Sequence, residues 1–220
     1  PRTSSAASDV YKRQTLELGG KNPNIIMSDA DLDIAIPGVI DGMRYTRQGQ
    51  ACTAGSRVYI HEKIYDKVLE GAVEKLSKLK MGNALDEKSD IGAIISEEQL
   101  KRTLYYMDIA KKNSSTKILH GGNQSKGGEY KDGFYYEPTL LSGLPVSSPV
   151  CQEEVFGPVA CAIPFKSFDE VIKSANDTPF GLSAVLWTKD LSRALQFVDE
   201  IEAGFVQVNQ CVAPRANVSY

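Results

Sequence analysis

The chain has 220 residues, a formal net charge of −3 and 42% hydrophobic residues, enough for one large domain with a buried core or for two small ones. Mild acidity gives no basic footprint for nucleic acid and no polybasic patch for a membrane surface, and no apolar run is long enough to span a bilayer. Four cysteines stand at positions 52, 151, 161 and 211 without a CxxC pair, and neither His61 nor His120 is close to a cysteine in sequence, so a zinc site is disfavoured and the reduced thiols of a cytoplasmic protein are expected.

Pro1 to Gln14 is polar and patternless, lacks the apolar stretch of a signal peptide, and reads as a tail foreign to the fold. Residues 15–220 read as one domain truncated at both ends, since Val218-Ser219-Tyr220 carries neither a helix stop nor a turn. Thr15 to Leu18 suggests a strand running into the Gly19-Gly20 turn, and Asn24 to Met27 is a second short apolar run. Asp29, Asp31 and Asp33 are placed at a helix N-terminus, where the dipole favours carboxylates, with Ile36, Ile40 and Met43 following at helical spacing. Pro37 fits that helix only in its first turn. The three aspartates alternate as in a calcium loop but lack the glycine and distal glutamate that would complete one.

Arg57 to His61 is predicted as a strand, and the apolar stripe from Ile64 to Leu79 as an amphipathic helix. Ser96-Glu97-Glu98-Gln99 has the form of a capping box opening a helix to about Lys112, followed by a short strand at Lys117 to His120. Gly121 to Gly133 is a Gly-rich surface loop or hairpin tip without a phosphate-binding pattern. Val159 to Phe165 is an apolar strand, and Ser167 caps a helix through Ala175. Leu182 to Trp187 is a further strand, Leu191 to Val198 marks a helix stopped at Gly204, and Phe205 to Val208 is the last strand. Alternation of strands and helices from Arg57 onward predicts an α/β fold with a mostly parallel sheet flanked by helices.

Three segments set polar residues beside glycines: Glu17-Leu18-Gly19-Gly20-Lys21, Arg47 to Ser56, and Gln152 to Pro158. Taken singly, each has a plain reading. A lone cysteine such as Cys52 is usually a buried, inert filler. Glu17 could pair with Lys21, Glu154 could cap or form a salt bridge, Phe156 could be core, and Gln99 could be the third residue of its capping box.

Together they carry more. TLELGGKNPN resembles the glutamate motif of the aldehyde dehydrogenase superfamily, YTRQGQACTAGSR its cysteine motif, and EEVFGPV its cofactor-contacting motif. The order matches, and Glu17 and Cys52 lie 35 positions apart, close to the family's usual gap. The resemblance covers Thr15 to the end and implies an aldehyde-dehydrogenase-like catalytic domain acting on a small-molecule aldehyde. Cys52 is then the nucleophile, forming a thiohemiacetal and, after hydride loss to NAD or NADP, a thioester. Glu17 is the general base that activates water against that thioester, which disfavours the CoA-acylating branch. The Cys52 N–H is a natural donor to the developing oxyanion. Glu154 corresponds to the ribose-binding carboxylate, Phe156 to the residue packed near the nicotinamide, and Gln99 to a position that often touches the cofactor ribose. Cys151, Cys161 and Cys211 lie outside the nucleophile motif and keep the plain reading.

The family's dinucleotide-binding domain lies mostly before the glutamate motif, and no Gly-rich dinucleotide fingerprint occurs here. The resemblance therefore implies a homodimeric or homotetrameric parent enzyme, and a chain that is inactive as an oxidoreductase on its own. Gln207 in GFVQVN stands where many members carry an aromatic residue. Two other functions compete with this reading: a non-catalytic structural or binding protein that keeps the fold, and a cofactor-independent thiol esterase using the same Cys/Glu pair.

Overall fold

A computed structural model describes residues 16–211; the tail expected at 1–14, Thr15 and Val218-Ser219-Tyr220 lie outside them. In chain order the elements are β1 (Pro23–Ile26), α1 (Leu32–Gly42), β2 (Arg57–His61), α2 (Tyr65–Leu76), α3 (Glu97–Lys112) and β3 (Lys117–His120). A small ribbon of β4 (Gln124–Ser125) and β5 (Tyr135–Tyr136) follows, then β6 (Thr139–Ser142), α4 (Pro149–Gln152), β7 (Val159–Phe165), α5 (Phe168–Asn176), β8 (Ser183–Trp187), α6 (Leu191–Glu200) and β9 (Phe205–Val208). Seven strands form one sheet in the order β3-β6-β7-β2-β1-β8-β9. Every neighbouring pair is parallel except β3 with β6, so the expected α/β class holds. No helix among the described residues is long and apolar enough to cross a membrane.

Both faces of the sheet are covered, which is why β7 reads as an unbroken apolar run and β1 and β2 are buried along their whole length. Side chains alternate between the faces. Ile25, Tyr59, Ile163 and Leu186 join a core with Leu100 and Met107 of α3, Val171 of α5 and Phe197 of α6. Ile26, Val58, Ile60 and Trp187 face the other way, onto Val39 of α1 and Val68 and Leu76 of α2.

Several sequence expectations are corrected. Residues 16–18 form no strand; Leu16 and Leu18 are exposed, and the chain turns at once, with the Glu17 carboxylate accepting from the Gly19 N–H at 3.0 Å. Pro37 lies beyond the first turn of α1. A proline there cannot donate to the Asp33 carbonyl, and the exposure of Asp33 lets water take that place. Asp31 is the N-cap of α1 and Asp33 sits in its first turn. Asp29 serves another helix: it accepts from Thr188 Oγ1, the Lys189 N–H and Arg193 at the start of α6. The stripe from Ile64 to Leu79 divides into a 3-10 turn at Glu62–Ile64 and α2, which stops at Leu76. Helix α6 ends at Glu200 with Ile201 as its cap in extended backbone, so Gly204 is not the C′ glycine. β6 was not foreseen.

Two cations are buried beneath the sheet's edge. Arg57 is fully buried and donates to the carbonyls of Lys21, Ser174 and Ala175 and to the Tyr59 hydroxyl. It thereby satisfies the last turn of α5, where a positive charge suits the dipole. Lys21 is 1% exposed, and its Nζ has no hydrogen-bond partner. Burial holds this amine below the ordinary lysine value of 10.5.

The sign of the consequence follows from linkage. Below its lowered folded value the amine is charged in both states, and desolvation opposes folding. As pH rises through that value the folded chain sheds a proton that the unfolded chain keeps, so stability climbs until the unfolded lysine also titrates. Lys21→Met should therefore raise Tm at neutral pH and flatten its rise between neutral pH and about pH 9, below the range where tyrosines titrate. Thermal melts across that range check this; a Tm slope identical to that of the unaltered chain overturns it.

Candidate active site

Strand register decides where the three motifs go. Pro23 of β1 pairs with Arg57 of β2, and Arg57 pairs with Cys161 of β7. These strands are parallel neighbours, so the segments that lead into them leave the same edge of the sheet side by side. Glu17 to Lys21 leads into β1, Arg47 to Ser56 into β2, and Gln152 to Pro158 into β7. Sites of open α/β sheets usually form outside the carboxyl ends of strands. Here the motifs gather at the amino ends.

Two glycines let the three segments touch backbone to backbone. A Cβ on Gly20 would overlap the Cys52 carbonyl oxygen and come within 2.8 Å of the Asn22 carboxamide. On Gly49, whose φ is +63°, it would overlap the carbonyl of Gly157. Larger residues at either position would push the cysteine segment away from one of its neighbours. The Gly20 N–H donates to Glu154 Oε1 at 2.9 Å, so one glycine meets both the cysteine motif and the EEVFGPV carboxylate.

Cys52 is half-buried on a turn closed by the Ala54 N–H donating to the Ala51 carbonyl at 3.0 Å. Asn22 crosses to that turn: its Nδ2 donates to the carbonyls of Cys52 at 2.7 Å and Ala54 at 3.0 Å. The approach to the turn passes through left-handed backbone at Arg44 and Gln48 as well as Gly49. Glu17 is exposed and bonded to its own turn through the Gly19 N–H, not to Lys21. Glu154 and Phe156 are both half-buried.

Helix α3 holds the third motif from outside. Ser96 caps it by accepting from the Gln99 N–H at 3.2 Å, but the Gln99 side chain does not complete the capping box. Its Nε2 donates instead to the carbonyls of Val155 at 3.0 Å and Phe156 at 2.7 Å. One and two turns further on, Arg102 donates to the Glu154 carbonyl at 2.6 Å, Thr103 packs on Gly157, and the Tyr106 hydroxyl donates to the Glu153 carboxylate at 2.7 Å. Burial and that bond push Tyr106 up to about 12. Residues 99, 102, 103 and 106 share one helix face. They clamp a loop in which Phe156 has φ +55°, a conformation that costs a non-glycine residue about 1 kcal/mol or more and persists only when its surroundings enforce it.

A small cavity is lined by residues of all three motifs, among them Gly20, Gly49, Ala51, Glu154 and Phe156. A much larger one, about 750 Å³, lies away from them between Lys80, Asp86, His120 and Glu129. It is an open surface groove that none of the motif residues lines, so size alone does not mark the site. Cys151 and Cys161 are buried thiols in contact with each other and not joined in a disulfide; their hydrogen bond and burial push Cys161 well up. Gln207 is buried in β9, paired with Val185 of β8. Sequence reading missed Asn22 and Arg102, because both act on main-chain carbonyls, which no residue type announces.

Comparison with known proteins is consistent throughout. The profile of the aldehyde dehydrogenase family matches residues 2–220. The cytosolic aldehyde dehydrogenase 1 of Rattus norvegicus is 40% identical over 205 residues, covering 93% of this chain and 40% of that protein. A betaine aldehyde dehydrogenase of Staphylococcus aureus, solved in complex with NAD+, superposes with a TM-score of 0.90 at 35% identity, over 96% of this chain and 42% of its own. The NAD+ complex of an aldehyde dehydrogenase from Bacillus cereus gives 0.89 at 35% identity, over 96% and 42%. The chain thus spans about two fifths of the length of the relatives it matches.

The clamp on the third motif is open to test. Gln99→Ala removes two hydrogen bonds and should destabilise the chain by about 1–2 kcal/mol, with faster amide exchange confined to Glu153–Gly157. Urea unfolding and hydrogen exchange measure the two effects; unfolding and exchange both indistinguishable from the unaltered chain would show that Gln99 does not pin the loop.

Proposed function

The chain belongs to the aldehyde dehydrogenase family, and we propose that it carries the nucleophile and the general base for oxidising a small aldehyde to a carboxylate with NAD or NADP. The observation that carries this reading is the position of Gly20, which lies against the Cys52 carbonyl and donates to Glu154. It draws the glutamate, cysteine and EEVFGPV segments to one place.

The residues present suit the cofactor. Glu154 offers the acceptor oxygens that a ribose diol needs, and Phe156 offers an apolar ring for a planar heterocycle. Gly20, Gly49 and Ala51 line the small cavity beside these two residues. Gln99 belongs on the cofactor side as the residue holding the Phe156 loop. NAD or NADP supplies a hydride acceptor when bound; the remaining chemistry belongs to the chain.

Cys52 Sγ attacks the aldehyde carbon and forms a C–S bond, and the carbonyl pair moves onto oxygen, faced by the Cys52 N–H. Loss of hydride from that adduct leaves a thioester on Cys52. Glu17 then takes a proton from water as the water oxygen attacks the thioester carbon. The C–S bond breaks, the carboxylate leaves, and the thiolate is restored. In this structure the Glu17 carboxylate rests on the Gly19 N–H, and a rotation of its exposed side chain would release it for that role. Reduced, unjoined Cys151 and Cys161 suit a cytoplasmic setting. The whole enzyme is proposed to be a homodimer or homotetramer.

An activated ester separates the two roles. With p-nitrophenyl acetate, Cys52→Ala should abolish acylation of the chain. Glu17→Gln should keep the first acyl transfer but slow turnover by roughly 10²–10⁴-fold, so that the acyl-enzyme accumulates. Quenched-flow mass spectrometry measures both, and steady turnover unaffected by Glu17→Gln sinks the base assignment. Lacking a dinucleotide fingerprint, the 220-residue chain should form no NADH from an aldehyde and NAD+ on its own; NADH detected by absorbance would overturn that expectation.

A further inference from the structure

We propose that Asn22 is a positioning residue for this reaction: its carboxamide locks the turn that carries Cys52, so that the Cys52 N–H keeps its aim at the oxygen of the adduct. The inference rests on Cys52 being the nucleophile, and goes beyond it by assigning a role to a residue of no catalytic type.

The side chain is 3% exposed, and three hydrogen bonds engage it. Nδ2 spends both of its hydrogens on the turn, at the Cys52 and Ala54 carbonyls. Oδ1 accepts from the Ser183 N–H of β8 at 2.9 Å. That strand carries none of the three motifs, so the turn is moored to the rigid sheet and not only to another loop. Holding the carbonyls of Cys52 and Ala54 on one amide group stops the peptide plane after Cys52 from rotating. The bond from Ala54 to Ala51 closes the other side of the turn.

Few side chains can do this. The site asks for two donors on one atom and an acceptor on its neighbour, which a carboxamide supplies. An aspartate has the same shape but would set a carboxylate oxygen against two carbonyl oxygens. A serine could replace only one donor. Gly20 completes the arrangement, since its missing Cβ leaves the space in which the carboxamide reaches Cys52.

Two reagents distinguish positioning from mere folding. Iodoacetamide displacement at sulfur builds no oxyanion. Acylation by p-nitrophenyl acetate does: sulfur bonds to the acetyl carbon, p-nitrophenolate leaves with the C–O pair, and the thiol proton passes to solvent. In Asn22→Asp and Asn22→Ser chains, acylation of Cys52 should fall by about tenfold or more, less in the serine variant, while its alkylation changes by less than about twofold. Peptide-level mass spectrometry reads each cysteine separately. Buried Cys151 and Cys161 report folding; should they become labelled in Asn22→Asp, the milder Asn22→Ser decides. Acylation unchanged in a folded variant, or acylation and alkylation falling together, overturns the proposal. An unaltered chain alkylated at Cys52 but never acylated overturns the nucleophile reading instead, and the role of Asn22 with it.

Discussion

The site depends on a registration: Pro23, Arg57 and Cys161 lie side by side on three adjacent parallel strands. Parallel strands enter the sheet from one edge, so whatever precedes them must share that edge. Segments far apart in sequence thus become neighbours without any long-range recognition of their own. What the register cannot do is close the last few ångströms. That falls to Gly20 and Gly49, at which backbone meets backbone. A side chain at either would separate the cysteine segment from the glutamate segment or from the EEVFGPV loop, and neither loss could be repaired by rotating a side chain.

Packing of this kind leaves polar groups in dry surroundings, and the structure answers with side chains that bond to main chain. Arg57 gathers the end of α5 and the Lys21 carbonyl. Asn24 accepts from the Trp187 indole and donates to the Gly38 carbonyl, joining β1 to β8 and α1. Gln99 and Arg102 do the same for the Phe156 loop. Lys21 is an exception among the described residues, with a buried amine left unpartnered. Its main-chain carbonyl is held by Arg57 while its charge is opposed by burial, so this residue contributes position to the glutamate segment at a cost in stability.

These roles explain what could be read in advance. Elements with a strong period or a cap were legible: α3 behind Ser96, α5 behind Ser167, and the apolar run of β7 all stand where their patterns put them. Thr15 to Leu18 imitated a strand through its composition, yet a strand exists only with a neighbour, and residues 16–18 run exposed toward the turn. β6 was hidden for the opposite reason. Thr139–Ser142 is short with polar ends, and its burial comes from β7 and β3 on either side. Asp29 shows a subtler limit: its chemistry was legible, since it does serve a helix start, but the helix is α6, reached only through the fold. The motifs named Cys52, Glu17, Glu154 and Phe156, while Asn22 stayed silent because its targets are carbonyls.

This division has a physical basis. Groups proposed to touch substrate or cofactor need particular functional groups, and so leave a mark in composition. Groups that position them need only a donor at the right distance from a main-chain oxygen, which Asn, Gln, Arg or Thr can each supply. The positioning groups at this site are mostly buried or partly buried and belong to elements anchored in the two cores: Asn22 at the entry to β1, Arg57 in β2, Gln99 and Thr103 on α3. Glu17 lies at the other extreme, exposed and bonded only within its own turn. In the proposed reaction, Cys52 held on a turn pinned through its backbone and Glu17 with freedom to swing suit two successive stages. The first stage needs a fixed oxyanion geometry, and the second needs room for a water molecule to enter after the first has finished.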